Sequence, residues 1–228
     1  GDSAPEDERN PLWVDRRGQP LLERFTDVDI ALSSPPFDAG RAWTEQISEA
    51  LYSKLDDDAK IADLTARYGN AFPVSYRETY GAKQSVHDIF QIEKALASND
   101  LERELYRPGN DSGHQLRLKL FRPGAPVVLS DMLPILENMG LRVIAELPFA
   151  VTPEDCDQTV WIHDFQMELP EAEGKAPIPV EKINGNVEEL LLRLWHGEVE
   201  NDNLNRLAIT AGLYWRDIVV LRAYVRYM

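Results

Sequence analysis

The chain has 228 residues, 43% of them hydrophobic, enough to bury a sizeable core in one large unit or two small ones. With 39 acidic against 24 basic residues its formal charge is -15, which argues against a nucleic-acid partner, because a phosphate backbone is held by a basic surface that displaces counterions. The single cysteine, Cys156, excludes an intrachain disulfide and a cysteine-cluster metal site and fits a reducing, cytoplasmic setting, and no apolar run approaches the roughly 20 residues that cross a bilayer.

Residues 1–27, opening on GDSAPEDERN, are expected to form a disordered or extended acidic start. Residues 28–32 are a short apolar strand stopped by Ser33, Ser34, Pro35 and Pro36, after which Asp38 caps a helix with Trp43, Ile47, Ala50, Leu51 and Leu55 on one face. A second helix is predicted to begin in Asp56-Asp57-Asp58, to bury Ile61, Leu64 and Tyr68, and to end at Gly69 as a left-handed stop. Phe72, Pro73 and Tyr76 read as an aromatic connector, and a third helix from about Ser85 carries Val86, Ile89, Phe90 and Ala97 near one face. Residues 28–106 are thus expected to be mainly helical, with a boundary in the breaker-rich run 107–113.

Beyond that run the period changes. Leu116, Leu118 and Leu120 alternate with Arg117 and Lys119, which predicts a strand with one buried face. Pro123-Gly124 turns the chain, and a helix follows from Ser130 or Asp131, with Pro134 in its first turn, Met132, Ile135, Leu136 and Met139 inward, and Gly140 as its stop. Leu141, Val143, Ala145 and Leu147 alternate as a second strand, residues 160–169 make a third, and after a Pro- and Gly-bearing linker a second helix runs from about Asn186 to Trp195.

Strand, helix, strand, strand, helix is the order of a split βαβ arrangement. The expected fold is therefore α+β, a ferredoxin-like βαββα plait over residues 114–197 flanked by N-terminal and C-terminal helical segments. Its closing strand is missing: residues 198–228 continue at helical spacing through Leu204, Leu207, Ala208 and Ala211, then Ile218, Leu221, Val225 and Met228. Either the sheet has three strands or an upstream segment such as residues 28–32 fills the gap.

Catalytic motifs are scarce. The Asp56–58 run suits a helix start better than a metal, since consecutive acids favour the helix dipole and cannot converge on one ion. The run 200–203 lacks the glycine and terminal glutamate of a calcium loop and reads as a cap. His163 and Asp164 are strand neighbours on opposite faces, His87, His114 and His196 have no metal-ligand spacing, and acids flank Cys156, which blunts its thiol. No nucleotide-cradling glycine motif occurs. The catalytic, cofactor-binding and metal-ligating sets are therefore empty.

Two candidate sites remain. The turn at Gly124 and the following helix start, with Ser130 and Asp131, offer backbone N–H groups to a carboxylate effector, with an ordinary turn as the alternative. Arg216, Arg222 and Arg226 near Trp215, Tyr224 and Tyr227 read as the edge of a packing interface, to which we assign Trp215, Arg222 and Tyr224.

The Pro-Gly turn, apolar helix and NMGLRVI at 138–144 resemble the ACT domain, an amino-acid-sensing module of regulated metabolic enzymes. The longer strings LSDMLPILENMGLRVIAELPF, WIHDFQMELP, NRLAITAGLYWRDIVVLRAYVRYM and RYGNAFPVSY resemble the N-terminal regulatory region of large bacterial NAD-specific glutamate dehydrogenases, over residues 43–228. The resemblance implies an oligomeric, NAD-using parent that converts L-glutamate to 2-oxoglutarate and ammonium. Its catalytic and NAD motifs match no position here, so this chain alone is not expected to be catalytic, and its partners are expected to be other domains of the same polypeptide, further copies of the parent and an amino-acid effector. Gly1 opens without an initiator Met and Met228 closes inside a helical run, which also leads us to expect a piece of a longer chain. Arg122 stands where ACT ligand loops commonly carry an acid, so an effector site and a purely structural, oligomer-building role both stay open.

Overall fold

The structure, a computed structural model, describes residues 42–107, 115–169 and 183–228. The strand expected at 28–32, the cap at Asp38, the linker after residue 170 and most of the breaker run lie outside the described residues. Helices α1 (Trp43–Tyr52), α2 (Asp58–Tyr68), α3 (Val74–Thr79) and α4 (Ala82–Ser98) come first. Strands β1 (Glu102–Tyr106) and β2 (Gln115–Pro123), helix α5 (Leu129–Asn138), strands β3 (Arg142–Val151) and β4 (Val160–Glu168) and helix α6 (Asn184–Trp195) follow. A 3-10 turn (Asn203–Arg206), α7 (Leu207–Thr210) and α8 (Trp215–Tyr227) complete the described chain.

The sheet is antiparallel, in the order β1-β2-β4-β3, and with α5 and α6 it makes the α+β, ferredoxin-like plait. The closing strand that the sequence left unplaced is β1. It takes the edge beside β2, but it enters from the N-terminal side, so the sheet spans the boundary expected at 107–113. Glu188 of α6 secures it: its carboxylate accepts the Leu105 N–H at 2.7 Å, and its backbone carbonyl accepts from Arg103 Nε at 3.0 Å. An edge N–H that could recruit another strand is thereby satisfied within the chain.

Both faces of the sheet are covered. On one, Leu116, Leu118, Leu120, Phe165 and Met167 meet Met132, Ile135 and Leu136 of α5 and Val187, Leu190 and Leu191 of α6. On the other, Phe121, Phe149, Val151, Val160 and Ile162 join one continuous core with Ile47, Ile61, Tyr76, Ile89 and Phe90 of the helical layer. The expectation of a strand with a single buried face therefore fails at β2. Lys119, read as outward, is 0% exposed, with Nζ 2.6 Å from Asp88 Oδ2 of α4 and 4.2 Å from the centre of the Tyr80 ring.

Around this pair lies a buried polar cluster. Tyr76 donates to the same Asp88 oxygen at 2.5 Å, while Asp164 of β4 accepts from Tyr80, from Tyr106 at 3.2 Å and from Arg117 at 3.1 Å. Burial first, and the neighbouring carboxylates second, hold the phenols of Tyr76, Tyr80 and Tyr106 protonated well beyond their ordinary range. At the rim, His87 Nε2 lies 2.7 Å from Glu104 Oε1; burial opposes charge on the ring, but Glu104 outweighs it and the pKa rises.

Several local details differ from expectation, each for a physical reason. Gly69 is right-handed (φ -54), not a left-handed stop; a Cβ there would sit 2.7 Å from Thr44 Cγ2, so glycine serves the close approach of α1 and α2. Asp57 caps α2, accepting from the N–H groups of Ala59 and Lys60. The aromatic connector contains a helix, α3, and Phe72, Tyr76 and Tyr80 pack in series at 4.5 and 4.9 Å. In α4, Ala95 is buried and Ala97 exposed. Helix α5 starts at Leu129 without a side-chain cap, which places Pro134 in its second turn, where one backbone bond is forfeited. A bulge between Val143 and Ala145 reverses the faces of β3: Val143 packs on the α5–α6 side, whereas Leu147 packs against the helical layer.

Two stability measurements follow. Lys119→Met leaves the Asp88 carboxylate buried without its cation and should cost about 3–5 kcal/mol in denaturant unfolding, with part of the loss recovered by adding Asp88→Asn. Burial raises the Glu188 pKa from 4.5 to about 7, so the unfolded chain releases that proton before the folded one does, and stability falls as pH rises across this interval. Glu188→Gln should remove that part of the fall in a series of melts from acid to neutral pH.

Candidate functional site

The effector loop foreseen at Gly124 is built from the end of β2, residues 124–128 and the first turn of α5. Gly124 adopts φ +83, the left-handed region, as a tight turn demands. Its N–H donates to Thr159 O at 2.8 Å, extending the ladder between β2 and β4. The Ala125 N–H donates to Pro123 O at 3.0 Å, Pro126 has no N–H and its carbonyl accepts from Arg122 at 2.8 Å, and the Val127 N–H donates to His163 Nε2 at 2.9 Å. The N–H groups expected to point at a carboxylate are thus engaged within the fold at Gly124, Ala125 and Val127. Ser130 and Asp131 are exposed neighbours in the first turn of α5, with Ser130 Oγ 3.4 Å from Asp131 Oδ1, and the acid there opposes an anion at that helix end.

Arg122 has a second role. Its guanidinium lies 5.1 Å from the ring centre of Trp195 at the end of α6, so this position, acidic in common ACT ligand loops, ties the loop to the helix layer.

The interface residues divide. Trp215 donates from Nε1 to Glu189 at 2.8 Å and sits between the guanidinium groups of Arg193 and Arg216, 5.1 and 5.0 Å from its ring. Arg222, 5% exposed, reaches inward to Asp202 Oδ2 at 2.6 Å, Asn205 Oδ1 at 2.8 Å and the Glu200 carbonyl at 3.1 Å. Tyr224 points outward, 67% exposed. The stripe expected on Ile218, Leu221, Val225 and Met228 is not the buried one: Ile218 and Arg222 are buried, and Leu221, Val225 and Met228 are exposed, because a charged fork rather than an apolar seam docks α8. Asp202 also accepts from Leu204 N, as a cap should, and the Arg222 fork holds its carboxyl below the usual range.

Among the described residues no group of three or more His, Cys, Asp or Glu side chains is placed to hold a metal ion, and no helix is long and apolar enough to cross a membrane. The sequence reading missed the Lys119–Asp88 cluster. Its one signal was a lone acid, Asp88, among Val86, Ile89 and Phe90 on the buried face of a helix.

Comparison with known proteins accounts for this organisation. The profile of the glutamate dehydrogenase ACT3 domain matches residues 100–179, that of its helical motif 2 matches residues 50–95, and that of its helical motif 3 matches residues 199–228. The chain is 38% identical over 188 residues to the NAD-specific glutamate dehydrogenase of Halomonas elongata and 34% over 203 residues to that of Pseudomonas aeruginosa, covering 82% and 89% of this chain. The chain belongs to the NAD-specific glutamate dehydrogenase family. The Mycobacterium tuberculosis relative is 29% identical over 194 residues, or 84% of the chain. These alignments span only 11–12% of the relatives' length. The ACT3 profile begins ahead of β1, in keeping with that strand's place in the plait, and helical motif 2 falls on the layer that covers the sheet's second face.

In this segment, Arg222→Met should lower the unfolding free energy by about 2 kcal/mol and speed proteolysis within α8, because it removes the guanidinium that Asp202 and Asn205 share. Arg222→Lys, which keeps the charge but not the fork, should fall between the two.

Proposed function

We propose that this chain is a non-catalytic regulatory and assembly segment of an NAD-specific glutamate dehydrogenase. The observation that supports this most is that the plait does not stand alone: helices α1–α4, which contain the helical motif 2 match, pack on its second face through a continuous core. Among the described residues the interior charges serve internal pairs, Lys119 with Asp88 and Arg117 with Asp164, and the His163 ring bonds Glu146. Oxidation of L-glutamate to 2-oxoglutarate and ammonium, with reduction of NAD, belongs in this reading to other domains of the parent. The partners are those domains and further copies of the parent, with Trp215 and Arg222 shaping the docked helix and Tyr224 lying on its outer face.

The purified chain should give no NADH when supplied with L-glutamate and NAD; turnover by the pure chain would overthrow the proposal. The regulatory half is tested by thermal shift against amino acids and carboxylate metabolites, since a ligand held only by the folded state raises the melting temperature by mass action. A saturable rise abolished by Ser130→Ala with Asp131→Asn assigns an effector to the start of α5. No rise with any of them leaves the segment to assembly alone.

A further inference from the structure

His163 of β4 is 3% exposed, and both of its ring nitrogens are committed. Because Nε2 accepts the Val127 N–H at 2.9 Å, the ring is neutral and carries its proton on Nδ1, which donates to Glu146 Oε1 at 2.6 Å. Glu146 reaches the ring because of the bulge in β3. Without the extra residue between Val143 and Ala145 it would face the helical layer; with it, Glu146 stands opposite Phe165 and shares the face of His163. Trp161 and Phe165 flank the ring, with centroids 6.4 and 6.3 Å away.

The charged surroundings are sparse. From β3 comes Glu146. From β2 comes Arg122, two positions beyond Leu120, the register partner of His163; its guanidinium is bonded to Pro126 O in the same loop. Helices α5 and α6 turn Met132, Ile135, Leu136, Val187, Leu190 and Leu191 to this core, Asp131 is exposed, and Asp164 lies on the opposite face with Arg117.

We propose that His163 is a proton-operated latch on the loop 124–128. A proton taken from solvent at Nε2 turns the acceptor into a donor aimed at the Val127 N–H. Two donors then face each other, and the loop loses its inner anchor. Glu146 stabilises the charged ring, so the released state is defined: imidazolium paired with Glu146, and Val127 free to leave. The released loop leads straight into the first turn of α5, so the surface at Ser130 and Asp131 changes with it. This inference does not depend on any effector binding there.

The test is NMR on the full chain, following the His163 ring nitrogens and the Val127 amide between about pH 8 and 5. The ring should be the Nδ1–H tautomer at the upper end, and the Val127 exchange protection factor should fall at least about tenfold with the same midpoint as the ring titration. His163→Gln presents a carbonyl oxygen close to the place of Nε2 and does not titrate, so it should keep Val127 protected throughout. Glu146→Gln should move the midpoint to lower pH. The proposal is overturned if the ring bears its proton on Nε2 at pH 8, if it stays neutral to pH 5, or if Val127 remains protected while the ring charges. Should His163→Gln fail to fold, an unmoved midpoint in Glu146→Gln overturns it equally.

Discussion

The arrangement of the chain depends on one contact, the buried pair between Lys119 of the sheet and Asp88 of α4. Two opposite charges withdrawn from water stabilise little relative to well-packed apolar substitutes, but every arrangement that separates them is heavily penalised. The pair therefore acts on position. It fixes where α4 lies on the sheet; Tyr76 of α3 shares the Asp88 carboxylate, and Tyr80, which follows α3, and Tyr106 of β1 bond the neighbouring carboxylate of Asp164. A plait and a helical layer matched by separate family profiles are thus one packed body.

The same constraint bears on function. In a free-standing sensor of this fold the sheet face opposite α5 and α6 is available to a partner or to solvent, whereas here it is filled by Phe90, Tyr76 and their neighbours. Among the described residues the rim leaves three places for an outside contact: the loop ahead of α5, the outer side of α8 and the edge of β3 that no described strand pairs. The loop is the most closely wired of these, since Arg122, Thr159 and His163 each hold one of its backbone groups.

Much of the fold could be read from the residues, and the misreadings have particular causes. Alternation at Leu116, Leu118 and Leu120 and the helical spacing of Met132, Ile135 and Leu136 gave the plait's first strand and helix because one face of each packs on an apolar layer. The same rule assigned Lys119 to solvent, since a strand's alternate face is usually wet, and nothing in Arg-Leu-Lys-Leu announces a carboxylate waiting above it. Strand β1 was hidden for a related reason. Its sequence, ERELY, opens on three consecutive charges, spans only five positions and follows a long helix, so its pairing is decided by β2 and Glu188 rather than by its own propensity. Leu147 was placed on the wrong side because alternation counts straight through a bulge. At the candidate sites the residue types were legible, but the commitments of the loop's N–H groups and the inward turn of Arg222 are tertiary facts that no spacing encodes.

The early entry of β1 has a consequence for how the chain folds. A closing strand placed after α6 would have to find β2 across the whole plait, whereas β1 is joined to it by residues 107–114 alone. Loop closure grows by about 0.6 kcal/mol for each doubling of length, so shortening the connection from a domain's length to a few residues spares roughly 2 kcal/mol of entropy in the first long strand pairing. Strands β1 and β2 can therefore zip as a hairpin while the rest of the sheet is still searching. With α4 directly upstream of that hairpin, Asp88 and Lys119 lie only 31 residues apart in the chain, so their pairing is a short loop closure as well.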